Sequence, residues 1–167
     1  MDTTTDFEQL VETESRGLLA AVYAIVGDQH RSEEIVQEAF ERGYRRWRRV
    51  SRLDRPGAWV RRVAVNEAIS TTRRRATEQR ALDRLNGLAD RQEGSDPLAA
   101  LDDDGVWAEV RRLPAEQAAV IALRYGADLG IGDIAETMHL TVPAVKSLLH
   151  RARASLRGST ELQSYAE

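Results

Sequence analysis

Two runs of helical periodicity, separated by an acidic stretch that has none, constrain this chain more than any other feature of its sequence. Phe7, Leu10, Val11, Leu18, Val22 and Ile25 fall at the three- and four-residue spacing of one helix face, and Gly27-Asp28 stops the run. Ser32, with Glu33 and Glu34 in a first turn where the helix dipole favours acids, predicts the N-cap of a second helix. Its apolar stripe is Val36, Phe40, Tyr44 and Trp47, a pattern that core packing alone would explain for Val36 and Tyr44. Ser51 to Arg55 reads as a loop, and Asp54 is expected to cap a third helix with Pro56 near its first turn, running to about Arg75.

From Thr77 the pattern weakens, although Ala81 to Leu88 could extend helically. Asn86-Gly87, Gly94-Ser95-Asp96-Pro97 and Asp102-Asp103-Asp104-Gly105 are turn or linker chemistry. Periodicity resumes at Val106, Trp107, Val110 and Leu113. A helix over Ala115–Tyr125 follows, with Gly126 as its C′ residue, then a short helix over Gly132–Met138. After the turn His139-Leu140-Thr141, Thr141 can cap a last helix ending near Arg157-Gly158. No strand pattern occurs. The expected class is all-α, with two small helical domains at 6–77 and 104–158 joined by a flexible acidic linker over 78–103.

Two short helices joined by a tight turn, the second one basic, form the helix-turn-helix arrangement. Val145, Leu148, Leu149, Ala152 and Leu156 make one apolar arc of the last helix, while Lys146, Ser147, His150, Arg151 and Arg153 occupy the opposite arc and its edges. A helix of this width fits the DNA major groove, where base contacts give choice and phosphate contacts give affinity. An amphipathic hairpin with a solvated basic face is the alternative that periodicity leaves open.

The net charge of −3 argues against nucleic-acid binding, but its distribution argues for it. Residues 1–30 carry −5, residues 31–80 carry +7, residues 81–110 carry −6 and residues 111–167 carry +1. Local charge decides whether a surface attracts phosphate. Within the basic block, Arg45, Arg46, Arg48 and Arg49 surround Trp47, a combination suited to melted DNA, where backbone attraction and base stacking act together. Burial of Trp47 is the competing reading. On the third helix Trp59, Arg62, Asn66, Ser70 and Arg73 share one side, while the remaining circumference is mostly apolar, with Arg61 and Glu67 as exceptions. The acidic linker could lie against the basic block and screen it from DNA.

Several function classes find no support in the residues. With no cysteine, disulfides and thiol chemistry are excluded, and the three histidines have no ligand partner at helical spacing, so no metal or other cofactor is expected. No nucleophile–base pair or phosphate-binding glycine motif points to an enzyme or a small-molecule substrate, and Asp102 to Asp104 are consecutive acids that do not converge on one ion. No apolar run could span a bilayer and no signal peptide is evident, so direct membrane insertion is not expected and the reading is a soluble cytoplasmic protein.

Taken in full, Leu113-Pro114-Ala115-Glu116-Gln117-Ala118-Ala119-Val120-Ile121-Ala122-Leu123-Arg124-Tyr125, then Ile134-Ala135-Glu136, Val145-Lys146-Ser147 and Arg151-Ala152-Arg153 before Leu156, resembles region four of the sigma-70 family. More narrowly it resembles the extracytoplasmic-function (ECF) group of this bacterial family. Glu33-Glu34-Ile35-Val36-Gln37-Glu38-Ala39-Phe40 with Trp47, and Pro56-Gly57-Ala58-Trp59-Val60-Arg61-Arg62-Val63-Ala64-Val65-Asn66 through Arg73-Arg74, resemble region two. The resemblance covers about 6–77 and 104–158 in the expected order.

What it implies is a non-enzymatic RNA polymerase sigma factor for promoter recognition, DNA melting and transcription initiation. Lys146, Ser147, His150, Arg151 and Arg153 would read the −35 element, and the domain that carries them would touch the polymerase flap. Arg45, Arg46, Trp47, Arg49, Trp59, Arg62, Asn66 and Arg73 would serve the −10 element and melting, with the loop Ser51–Arg55 holding a flipped base. Glu34, Gln37, Glu38 and Phe40 would dock on the clamp helices of core RNA polymerase, where acids suit a basic partner. An anti-sigma factor is a further partner compatible with the resemblance.

The chain departs from the family pattern at several positions. His139 stands where glycine is usual, Gly130 where a capping serine is common, Leu148 where a basic residue is frequent, Ser70 where aspartate is frequent and Val65 where arginine is frequent. The rival reading is a stand-alone helix-turn-helix transcriptional regulator whose first block dimerises or senses. Tight operator binding without polymerase, on a two-fold symmetric site, would distinguish it.

Overall fold

A computed structural model describes residues 3–87 and 105–164 of the chain, and side-chain surroundings at 5–87 and 105–158. The helices are α1 (Thr3–Val26), α2 (Gln29–Arg45), α3 (Trp47–Val50), α4 (Pro56–Asn86), α5 (Gly105–Arg112), α6 (Ala115–Ile121), α7 (Ile131–Met138) and α8 (Val142–Ser164), with a π-helical turn at Ala122–Gly126. Among the described residues there is no strand.

Local chemistry sets the boundaries, and it differs from expectation at several of them. Gly27 ends α1 in the left-handed region at φ 74°, donating its N–H to the Tyr23 carbonyl at 2.8 Å. The next residue already starts α2. Asp28 is extended (φ −125°) and its side chain accepts the Arg31 N–H at 2.9 Å, so Asp28 is the N-cap in place of Ser32. Ser32 lies buried inside the first turn, its hydroxyl donating to the Asp28 carbonyl at 2.6 Å. Arg55 occupies the N-cap position of α4 with no side-chain capping bond, so Asp54 does not cap it. That helix does not stop near Arg75; it continues to Asn86 and closes on Gly87 at φ 59°.

Gly126 belongs to the π turn, and Asp128, not Gly126, takes the positive φ (53°) after it. The helix-turn-helix pair has the expected register. Gly130 starts α7 without a side-chain cap, His139 makes the turn at φ 59°, and Thr141 Oγ1 accepts the Ala144 N–H at 3.3 Å as α8 begins. The last helix runs past Gly158 to Ser164. Residues 88–104, and with them the central part of the expected linker and its screening role, lie outside the described residues.

The first three-helix unit buries Leu18, Val22 and Ile25 of α1 against Ile35 and Ala39 of α2 and Val60, Ala64, Val65 and Ala68 of α4. The second unit buries Val110, Val120, Leu123, Ile134, Val145 and Leu149. These buried residues form one continuous cluster, because the second unit packs onto α1 and α4 of the first. Small residues permit the approach: Gly17 faces Ala127, and Gly126 faces the backbone of Ala20 and Ala21.

Substitution of Gly27 by alanine is expected to destabilise the chain by about 1–2 kcal/mol, because a left-handed turn strains any L side chain. The new Cβ would also come within 2.7 Å of Arg111 Cδ, which lies over this glycine from the second unit. Urea unfolding of the two proteins measures the difference, and an unchanged midpoint would contradict it.

Candidate nucleic-acid and polymerase interface

The last helix, α8, is open to solvent along its polar arc. Lys146, Ser147, His150, Arg151 and Arg153 are all exposed, while Val145, Leu149 and Ala152 are buried beneath them. Leu148 and Leu156, on the flanks of the buried arc, are half-buried. Arg153 is held in place by the Tyr125 hydroxyl, which accepts from its Nε at 2.9 Å and Nη2 at 2.6 Å, with the guanidinium 5.7 Å from the ring centroid. The Tyr125 ring is itself exposed beside Arg153.

The polar stripe on α4 is placed differently. Asn66, Ser70 and Arg73 are exposed and Arg62 is half-buried, but all four face the helix-turn-helix unit. Arg62 Nη1 lies 2.8 Å from His139 Nδ1, and Arg73 Nη2 lies 2.6 Å from Glu116 Oε1. Arg55, at the start of α4, is paired with Asp133 and lies 3.5 Å from Glu136. Between these pairs Asn66, Ile69, Ser70, Arg73, Glu116, Met138, Leu140 and Leu148 line a cleft of about 310 Å³. Trp59 is half-buried and packs with the first unit, close to Gly43.

Arg61 was visible in the sequence as a charge on an apolar face, and the structure gives the reason. Its guanidinium is buried, with Nη1 donating to both Glu14 carboxylate oxygens at 2.7 Å and Nε to Thr137 Oγ1 at 3.3 Å. Glu67, the second exception, accepts from Arg31 and Arg74, each at 3.0 Å. Sequence reasoning missed the pairing of Arg55 with Asp133 and Glu136 and of Arg73 with Glu116, partners that lie 43 to 81 residues apart in the chain. No periodicity reports a pairing at that separation.

Of the basic cluster, Arg45, Arg46, Arg48 and Arg49 are exposed, whereas Trp47 is buried at 8% exposure. Its ring meets Phe7 edge-on at 5.2 Å between centroids, and its indole N–H has no partner. Core packing therefore accounts for Trp47, and stacking on a melted base does not fit this placement. Tyr44 goes the other way: expected in the core, it is 59% exposed and touches Phe7 at 5.1 Å. The loop Ser51–Arg55 is exposed throughout.

On α2, Glu34, Gln37 and Glu38 are exposed and Phe40 is half-buried against Phe7, with centroids 6.5 Å apart. Arg31 lies 3.2 Å from Glu34 and 3.9 Å from Glu38. Exposed pairs of this kind contribute little to stability, so these carboxylates can change partners at small cost. Among the described residues no group of histidines and acids is placed to hold a metal ion, and no helix is long and apolar enough to cross a membrane.

Comparison with known proteins matches both units. The family model described as sigma-70 region 2 matches residues 10–78, and that described as sigma-70, region 4 matches residues 104–156. The RNA polymerase sigma-E factor of Streptomyces antibioticus is 28% identical over 158 residues, covering 93% of this chain and 85% of that protein. The ECF RNA polymerase sigma factor SigW of Bacillus subtilis is 25% identical, covering 90% and 87%. Among solved structures, the sigma factor RpoE in complex with the anti-sigma factor NepR from Bartonella quintana has a TM-score of 0.68 at 21% identity, covering 93% of this chain and 97% of that one. CnrH in complex with the cytosolic domain of CnrY has a TM-score of 0.67 at 20% identity, covering 95% and 90%.

Proposed function

The chain belongs to the sigma-70 family, in its ECF group, and from that premise we propose how its surfaces divide the work of a sigma factor. It is an RNA polymerase sigma factor that directs promoter recognition, DNA melting and transcription initiation, with core RNA polymerase and promoter DNA as partners. The carrying observation is that both region models match, in order, on two helical units with separate polar faces.

The first unit, with 6–77 as its extent, binds core polymerase and the −10 element. The second, over 104–158, binds the −35 element, and 78–103 connects them. Lys146, Ser147, His150, Arg151 and Arg153 enter the major groove. Arg62, Asn66 and Arg73, with Arg45, Arg46 and Arg49 on the flank, take the −10 strand, and Glu34, Gln37, Glu38 and Phe40 dock on the clamp helices. The protein works as a dissociable subunit of the cytoplasmic transcription machinery and not as a catalyst. An anti-sigma factor, of the kind bound by its structural relatives, is a further partner.

Run-off transcription with purified core polymerase on a promoter library tests this reading. Defined starts that require the protein are expected, and alanine at Arg62, Asn66 and Arg73 together should reduce them at least ten-fold, since one good base contact is worth about 1–3 kcal/mol. If no start depends on the protein while it binds a symmetric duplex alone, the regulator reading replaces this one.

A further inference from the structure

We infer that the helix-turn-helix unit shuts the −10-facing stripe of α4 in the free protein, its carboxylates standing where DNA phosphates would sit. The inference rests on the assignment of that stripe to DNA. Three arginines along α4 each meet a group of the second unit: Arg55 meets Asp133 and Glu136, Arg62 meets His139, and Arg73 meets Glu116. Carboxylate and phosphate present the same chemistry to guanidinium, a planar fork of charge-assisted donors. A DNA backbone and the second unit therefore compete for the same cations.

The positions that depart from the family pattern strengthen the case. His139, in place of glycine, supplies the ring nitrogen facing Arg62, although its backbone sits at φ 59°. Leu148, in place of a basic residue, lines the cleft with Met138 and Leu140, opposite Asn66 and Ser70. Ser70, in place of aspartate, lines the same cleft beside Asn66 and Arg73. Three of the five departures thus lie on one seam. A basic residue at 148 would face Arg73 across the cleft.

Closure is selective. The −35 arc of α8 and the docking face of α2 both stay exposed, so polymerase and the −35 element can be engaged before the seam opens. Opening is then a consequence of docking, and the stripe meets DNA only on the holoenzyme.

The chain has no cysteine, so nitroxide labels can be placed on single cysteines introduced at Arg80 and Ser147, both exposed. The probe for DNA is a fluorescein-labelled 12-nucleotide single strand of mixed sequence. Free wild-type protein is expected to give one narrow inter-label distance, and the variant Glu116→Gln/Asp133→Asn/Glu136→Gln a broader and longer one. The same variant, unlabelled, should bind the probe about ten-fold more tightly, and adding Arg73→Ala should cancel the gain. A broad distance in the wild type, or an opened variant with unchanged DNA affinity, overturns the inference. Failure of the −10 assignment looks different: run-off transcription would then be indifferent to alanine at Arg62, Asn66 and Arg73.

Discussion

Replacing Arg61 with alanine is expected to lower the unfolding free energy by about 3 kcal/mol, the lower end of the range for breaking a buried ion pair. The lower end applies because Glu14, its partner, keeps 17% of its side chain exposed and can recover some hydration. Loss of the guanidinium leaves a carboxylate lying over Gly57, with no cation left beside it among the contacts described. Thr137 Oγ1, across the seam, loses its donor as well. The urea midpoint should fall with an unchanged slope. Replacing both charges, Arg61→Met with Glu14→Leu, should restore most of the loss, since well-packed apolar pairs commonly match buried ion pairs. A single variant as stable as the wild type would show that the pair contributes nothing net.

The second large effect concerns docking. Gln37→Ala combined with Glu38→Lys should reduce run-off transcription about 30-fold at limiting protein, the consequence of losing roughly 2 kcal/mol at an interface hot spot. Both side chains are exposed and their neighbours are Glu41 and Arg31, so the fold should be unaffected. The reversed charge should also make the residual activity less sensitive to salt, because complementary charge speeds association at low ionic strength. Binding to core polymerase, followed by anisotropy of a label on the sigma factor, separates docking from later steps. Wild-type affinity in the double variant would remove this face of α2 from the polymerase interface.

Much of the fold was legible because it is written locally. The spacing of Leu18, Val22 and Ile25, the stop at Gly27 and the register of Ile134, Leu140, Val145 and Leu149 each follow from a helix having one buried side. Errors arose where two local signals competed. Asp28 and Ser32 are both good caps, and Asp28 prevails because Gly27 turns the chain so sharply that α2 starts at once. The end of α4 was missed for another reason: beyond Thr71 it has no core to face, so its apolar stripe ends while its helix does not. Tyr44 and Trp47 lie on one stripe, but the break between α2 and α3 at Arg46 separates their directions, and only Trp47 turns inward. The polar stripe of α4 could be found from spacing, whereas what covers it could not, since Glu116, Asp133 and Glu136 sit on other helices far along the chain.

The overhanging end of α4 has a metrical consequence. From Ala76 to Gly87 every residue is exposed, so about 16 Å of helix stands clear of the body at 1.5 Å per residue. Gly105, where α5 starts, comes eighteen residues after Gly87, and covalent geometry limits that span to about 65 Å. The covalent path between the two helical units therefore sets a ceiling on how far they could ever separate, and only a change in chain length would move it.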